Sequence, residues 1–97
     1  MGIDILDINF RLEKAFSLRM PWGQLVWREQ NRDKHHIRID PTVGEIYLYI
    51  CEMLRGKEIP IPEDSWDRVV RCISDALGVD RSNIHPHSHL VKDLGAT

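Results

Sequence analysis

The stretch Leu90-Val91-Lys92-Asp93-Leu94-Gly95-Ala96-Thr97 decides how this chain is read, together with Met1-Gly2-Ile3-Asp4-Ile5-Leu6-Asp7 at the other end. The expectation is that these two stretches lie side by side in the folded molecule. The order of the helices is then rotated around the seam between them, and the segments in between test that.

Working back from the C-terminal stretch, Val79 to Lys92 reads as a loop. Val79, Ile84 and Leu90 are the apolar anchors that would fold it over the core. Before it lies the clearest helical pattern. Trp66, Val69, Val70, Ile73 and Leu77 fall on one face, Asp64 or Ser65 is placed to accept from the first-turn amides, and Gly78 is a left-handed stop. Lys57 to Asp64 carries Pro60 and Pro62; each proline lacks an amide donor and restricts the residue before it, so this is an extended connector. Upstream, Asp40-Pro41-Thr42 opens another helix with Thr42 as cap. Val43, Ile46, Ile50, Met53 and Leu54 share one face with Tyr47 at its flank, and Gly56 is the expected end.

Ile3 to Phe16 is predicted as the first helix. Ile5, Ile8, Leu12 and Phe16 follow helical spacing, and Leu6 with Phe10 is expected to widen the stripe. Asp4 and Asp7 suit its positive end, Arg11 and Lys14 its negative end. Met20-Pro21-Trp22-Gly23 breaks the pattern. The segment that follows is open between a short hairpin and an extra helix, and Trp22 and Trp27 would cover one end of the core.

A chain of 97 residues is one domain with a single modest core. Cys51 and Cys72 sit inside helical patterns without metal or redox spacing, so they are expected to be buried free thiols. No apolar run is long enough to span a bilayer, and a cytoplasmic location is expected. The net charge of −2 hides a division. Residues 17–40 are net basic, whereas residues 41–64 hold five carboxylates against Arg55 and Lys57. The basic part with its tryptophans would suit nucleic acid, but the negative total argues against that partner. His85, His87 and His89 alternate and His35-His36 form a pair; they could share a zinc or nickel ion, but the expectation is no metal site. No nucleophile motif is present, and no catalytic residue is assigned.

Three pieces together carry a resemblance. Val69-Val70-Arg71-Cys72-Ile73-Ser74-Asp75-Ala76-Leu77-Gly78-Val79-Asp80, Ile84-His85-Pro86 and Leu90 to Thr97 resemble the first helix and long loop of the acyl carrier protein family. Ile3 to Phe16 resembles that family's second helix, and Thr42-Val43-Gly44 to Ile50 the start of its last helix. The expected fold is therefore all-α: an acyl-carrier-like four-helix bundle in circularly permuted order. Residues 3–16 are the second-helix equivalent, 17–41 an insertion, and 42–54 the last-helix equivalent. Residues 55–64 are the connector, 65–78 the first-helix equivalent, and 79–97 the loop leading to the seam. A fragment of tandem carriers and a swapped homodimer are the alternative organisations.

What the resemblance implies is a non-enzymatic role in fatty acid, lipid or polyketide metabolism, with 4'-phosphopantetheine as the acyl-bearing arm. Acyl-transfer and chain-elongation enzymes would be its partners. The family's serine would follow Asp93, Leu94, Gly95, Ala96 and Thr97 and precede Ile3 and Asp4. Gly2 stands at its aligned position, so the arm is not expected to attach to this chain. Asp4, Asp7 and Glu13 are the candidate partner-facing carboxylates. A structural or interaction module that kept the fold without the chemistry is the alternative function.

Overall fold

The computed structural model describes residues 3–19 and 40–96. These are all-helical. Helix α1 spans Ile3–Phe16, α2 Val43–Gly56 and α3 Ser65–Leu77, followed by a single 3-10 turn, Arg81–Asn83. There is no strand among the described residues; Thr42 and His89 form an isolated antiparallel bridge. The fourth helix of the expected bundle has no counterpart among these residues. Most of the expected insertion, 17–41, with Trp22, Trp27, His35 and His36, lies outside them, as do Met1, Gly2 and Thr97 at the expected seam.

Helix α1 turns Ile5, Ile8, Leu12 and Phe16 inward, and all four are buried. The wider stripe does not form as expected. Leu6 is half-buried, and Phe10 is 54 % exposed. Phe10 lies two residues from both Ile8 and Leu12, about 200° around the helix, and so points away from the face they share. Asn9 takes the inward position instead: it is four residues from Ile5 and three from Leu12, and it is buried. The helix ends on Ser17 at φ 53°, and the amide of buried Leu18 donates to the Glu13 carbonyl at 3.0 Å. This is the long-range bond of a Schellman cap.

Helix α2 begins as its sequence predicts. Thr42 Oγ1 accepts from the Glu45 amide at 3.1 Å, while Glu45 Oε1 accepts from the Thr42 amide at 2.8 Å. This reciprocal capping box satisfies two donors that a helix start leaves unpaired. Its end differs from expectation, because Gly56 is the last helical residue and does not terminate the helix. The left-handed residue is Glu58, at φ 59°. The Ile59 amide reaches back to the Leu54 carbonyl (2.9 Å) and the Glu58 amide to Arg55 (3.0 Å), so Schellman closure falls on a non-glycine residue.

Helix α3 ends on Gly78 at φ 69°, with its amide on the Ser74 carbonyl at 2.8 Å, as expected. Its start is a correction. Neither Asp64 nor Ser65 caps the first turn through its side chain. Asp64 Oδ1 pairs with Arg68 Nε at 3.0 Å, and buried Ser65 Oγ donates back to the Pro62 carbonyl at 2.6 Å. Both polar side chains therefore already have partners.

Helix α3 packs against both α1 and α2 and so forms the middle of the fold. Val69 and Ile73 meet Ile8 and Leu12 of α1, and Ile46 and Ile50 of α2, in one buried cluster. Trp66 and Tyr47 close it edge-to-face, with ring centres 5.5 Å apart at 85°. Ile84 and Leu90 are buried and Val79 is half-buried in the same cluster, so the loop is pinned by the three anchors read from sequence. Cys51 and Cys72 are buried free thiols.

Candidate functional site

The loop from Val79 to Ala96 is fixed by polar bonds as well as apolar anchors. Asp80 Oδ1 accepts from the Ser82 amide at 3.0 Å and starts the 3-10 turn. Bonds from the Ser82 amide and then its hydroxyl hold the Asp80 carboxyl below the usual aspartate range. Ser88 is buried; its Oγ accepts from the His85 amide and its amide donates to the His85 carbonyl, both at 3.0 Å. That turn aims the Pro86 and Ser88 carbonyls at the start of α2. The Gly44 amide donates to the Pro86 carbonyl and the Val43 amide to Ser88, each at 2.9 Å. With Glu45 taken by Thr42, each of the three leading amides of α2 has an acceptor, two of them loop carbonyls.

Asp40 fastens the other side. Its Oδ1 accepts from the Val91 amide at 2.7 Å and Oδ2 from the Lys92 amide at 3.0 Å, while its carbonyl lies 2.8 Å from His89 Nδ1. The Leu90 amide donates to Pro41 at 3.0 Å. The Asp93–Ala96 motif follows directly. Asp93 is exposed, and its Oδ2 accepts from the His89 amide at 2.8 Å. The amides of Asp93 and Leu94 fold back on the His89 carbonyl, that of Gly95 on Val91 and that of Ala96 on Leu90, at 2.9–3.1 Å. Gly95 sits at φ 78°, a left-handed turn that glycine makes at no steric cost. Leu94 is half-buried against the core. Ala96 is buried in the cluster that also holds Ile5 from the first turns of α1.

The remaining site candidates fall on α1. Asp4 lies in the first turn of the helix and is half-buried. Asp7 Oδ1 bonds Arg11 Nε at 3.1 Å, so its charge is matched within the helix. Glu13 is half-buried, and both Asp4 and Glu13 are engaged with neighbours. The side chain of Ile3 and all of Gly2 and Thr97 lie outside the described residues.

The chain matches no protein-family model and no solved structure.

The first turn of α1, Ile3 to Leu6, offers no hydroxyl to which a phosphopantetheine arm could be joined. The serines elsewhere are differently placed. Ser65, Ser74 and Ser88 are held to Pro62, Val79 and His85, and Ser17 and Ser82 lie at a helix end and in the 3-10 turn. Among the described residues no serine stands at the position that the resemblance assigns to the arm's attachment. The His85 and His87 rings stack in parallel with centres 5.3 Å apart, whereas His89 turns to Asp40. Among the described residues no group of three or more ligating side chains comes together. No helix there is long and apolar enough to cross a membrane.

Sequence reading gave no sign of a groove between α1 and α3. It encloses about 350 Å³ and is lined by Arg11, Lys14, Ala15, Arg68, Arg71, Cys72 and Asp75. Arg68 is held on three sides: Nη1 donates to the Ala15 carbonyl at 3.0 Å, Nε pairs with Asp64, and Cζ lies 5.6 Å from the centre of the Phe16 ring. Arg71 pairs with Asp67, which also meets Arg81 at 3.3 Å. Three acid–base pairs, 7/11, 64/68 and 67/71, sit at i,i+4 with the acid N-terminal, the better order on a helix. Exposed pairs of this kind contribute roughly 0–1 kcal/mol, so they exchange partners easily. Burial pushes the Cys72 thiol up, against a downward pull from Arg11. The spacing of these pairs was visible in sequence, but their convergence across two helices 50 or more residues apart was not.

Proposed function

We propose that this chain is a carrier-like helical module, non-catalytic itself, that docks on enzymes of acyl transfer or chain elongation. Its helices follow the acyl carrier order in circular permutation, with the family's fourth helix and attachment seam assigned to segments outside the described residues. The observation that supports this best is the placement of the Asp93–Ala96 turn. Five backbone and side-chain groups between Asp40 and Gly44 hold the loop that leads to it, and Ala96 shares a core with Ile5. Both halves of the resembling motif thus contribute a side chain to the one buried core. A second reading, an interaction module with this fold and without the chemistry, is favoured by the absence of a hydroxyl on the first turn of α1.

Intact mass after incubation with a phosphopantetheinyl transferase and coenzyme A separates the two. The 97-residue chain is expected to keep its mass. A reordered chain, in which residues 65–97, an added serine and residues 3–56 follow one another, is expected to fold and gain the arm. A reordered chain that folds but gains nothing removes the carrier reading and leaves the interaction module. Light scattering decides between a monomer and a swapped dimer.

A further inference from the structure

We propose that the groove between α1 and α3 is a binding site for a small phosphorylated anion, independently of the carrier reading. Four cations face it: Arg11 and Lys14 from α1, Arg68 and Arg71 from α3. Each pair is spaced i,i+3, so each helix presents both of its charges to the same side. Asp75 is the single carboxylate in the lining. Ala15 and Cys72 make the rest of the wall, which keeps it from being a purely solvated charged surface. At about 350 Å³ the groove is at the lower end of the range for small-ligand sites, and it lies between packed helices, where such sites form.

The chemistry of the four groups favours phosphate. A guanidinium presents a planar fork of donors that matches two phosphate oxygens at once. Ala15 and Asp64 take one Nη1 hydrogen and Nε of Arg68 and leave its Nη2 donors, and with Phe16 they hold the side chain so that little freedom remains to be lost. Lys14 has no carboxylate partner among the described residues and supplies a free point charge. Arg11 and Arg71 are tethered by Asp7 and Asp67 through exposed i,i+4 pairs, which leave the other guanidinium donors open to a ligand. A diphosphate carries enough acceptor oxygens for donors from both helices. An acidic peptide would need an extended basic track; these charges are gathered in one compact groove.

The test uses the full chain and inorganic pyrophosphate at low ionic strength, followed by titration calorimetry and by alkylation of Cys72, which lines the groove, at pH 8.5, with Cys51, which does not, as internal reference. Pyrophosphate is expected to bind the native chain and to slow Cys72 alkylation. Lys14→Gln and Arg71→Gln are each expected to weaken binding about tenfold, as loss of a hydrogen bond to a charged group does. The double variant is expected to lose it. Lys92→Gln, the same charge change outside the groove, is expected to bind as the native chain does. Circular dichroism of each variant checks the fold. The proposal is overturned if pyrophosphate does not bind, if Lys92→Gln weakens binding as much as Lys14→Gln, or if binding leaves Cys72 alkylation unchanged. Binding of hexaglutamate with pyrophosphate inert overturns it equally.

Discussion

Replacing Gly44 by alanine sets two effects of opposite sign against each other. Gly44 is the second residue of α2, and its amide lies 2.9 Å from the Pro86 carbonyl. A Cβ built there also comes within 2.9 Å of that oxygen, and within 3.5 Å of the Pro86 carbonyl carbon and Cβ. The obstacle is mainly backbone and cannot swing aside as a long side chain would. Alanine gains up to about 1 kcal/mol in a helix interior, and less at this position near its start. Inserting a methyl into a filled site costs about 1–3 kcal/mol, and loosening the amide bond adds roughly 1 kcal/mol. The expected balance is a loss of about 1–4 kcal/mol, at roughly 4–8 °C in Tm per kcal/mol for a domain of this size. Gly56→Ala is the control, because nothing lies within 4 Å of its added Cβ. It is expected to raise Tm by a few degrees. Thermal melts by circular dichroism measure both. If Gly44→Ala is as stable as the native chain, the close approach of loop and helix described above is wrong.

Glu58→Gly is expected to stabilise by about 0.5–1 kcal/mol, since Glu58 holds the left-handed conformation that ends α2; a lower urea midpoint would contradict this. Asp40→Ala removes the acceptor of two loop amides and is expected to cost about 1–3 kcal/mol. Hydrogen exchange at Val91 and Lys92 should speed up with it, and unchanged exchange would show that Asp40 does not hold the loop. Burial raises the Cys72 thiol above its ordinary value near 9.0. The folded value exceeds the unfolded one, so its contribution is complete below the ordinary thiol range and is lost as pH rises through the folded value. Urea midpoints across alkaline pH are expected to fall less steeply for Cys72→Ala; an identical slope would refute that assignment.

The features legible in the sequence were those decided by neighbours within a turn. The Thr42–Glu45 box, the Gly78 stop and the apolar faces of α2 and α3 each depend on residues three or four apart. Three features depended on competition between partners and were read differently. Ser65 could cap α3 or bond Pro62, and the closer carbonyl won. Gly56 was the cheaper residue for a left-handed turn, yet α2 runs through it and the turn falls on Glu58. Phe10 was expected in the stripe and lies outside it, with Asn9 inside, because helical phase outweighs side-chain polarity when Ile5, Ile8 and Leu12 fix the buried face. The role of Asp40 and the α1–α3 groove were not visible because both arise from residues about 50 or more apart in sequence.

The fastening of the loop to the start of α2 makes the two a single cooperative unit. Peeling residues 86–92 away would uncover the Val43 and Gly44 amides, release the Asp40 carboxylate and lift Leu90 out of the core in one step. Exchange of the first α2 amides should therefore follow the opening of the loop, not the fraying of a free helix end. During synthesis the order is reversed. Helix α2 is made some 40 residues before these acceptors, so its Val43 and Gly44 amides stay without them until residues 86–88 have been made.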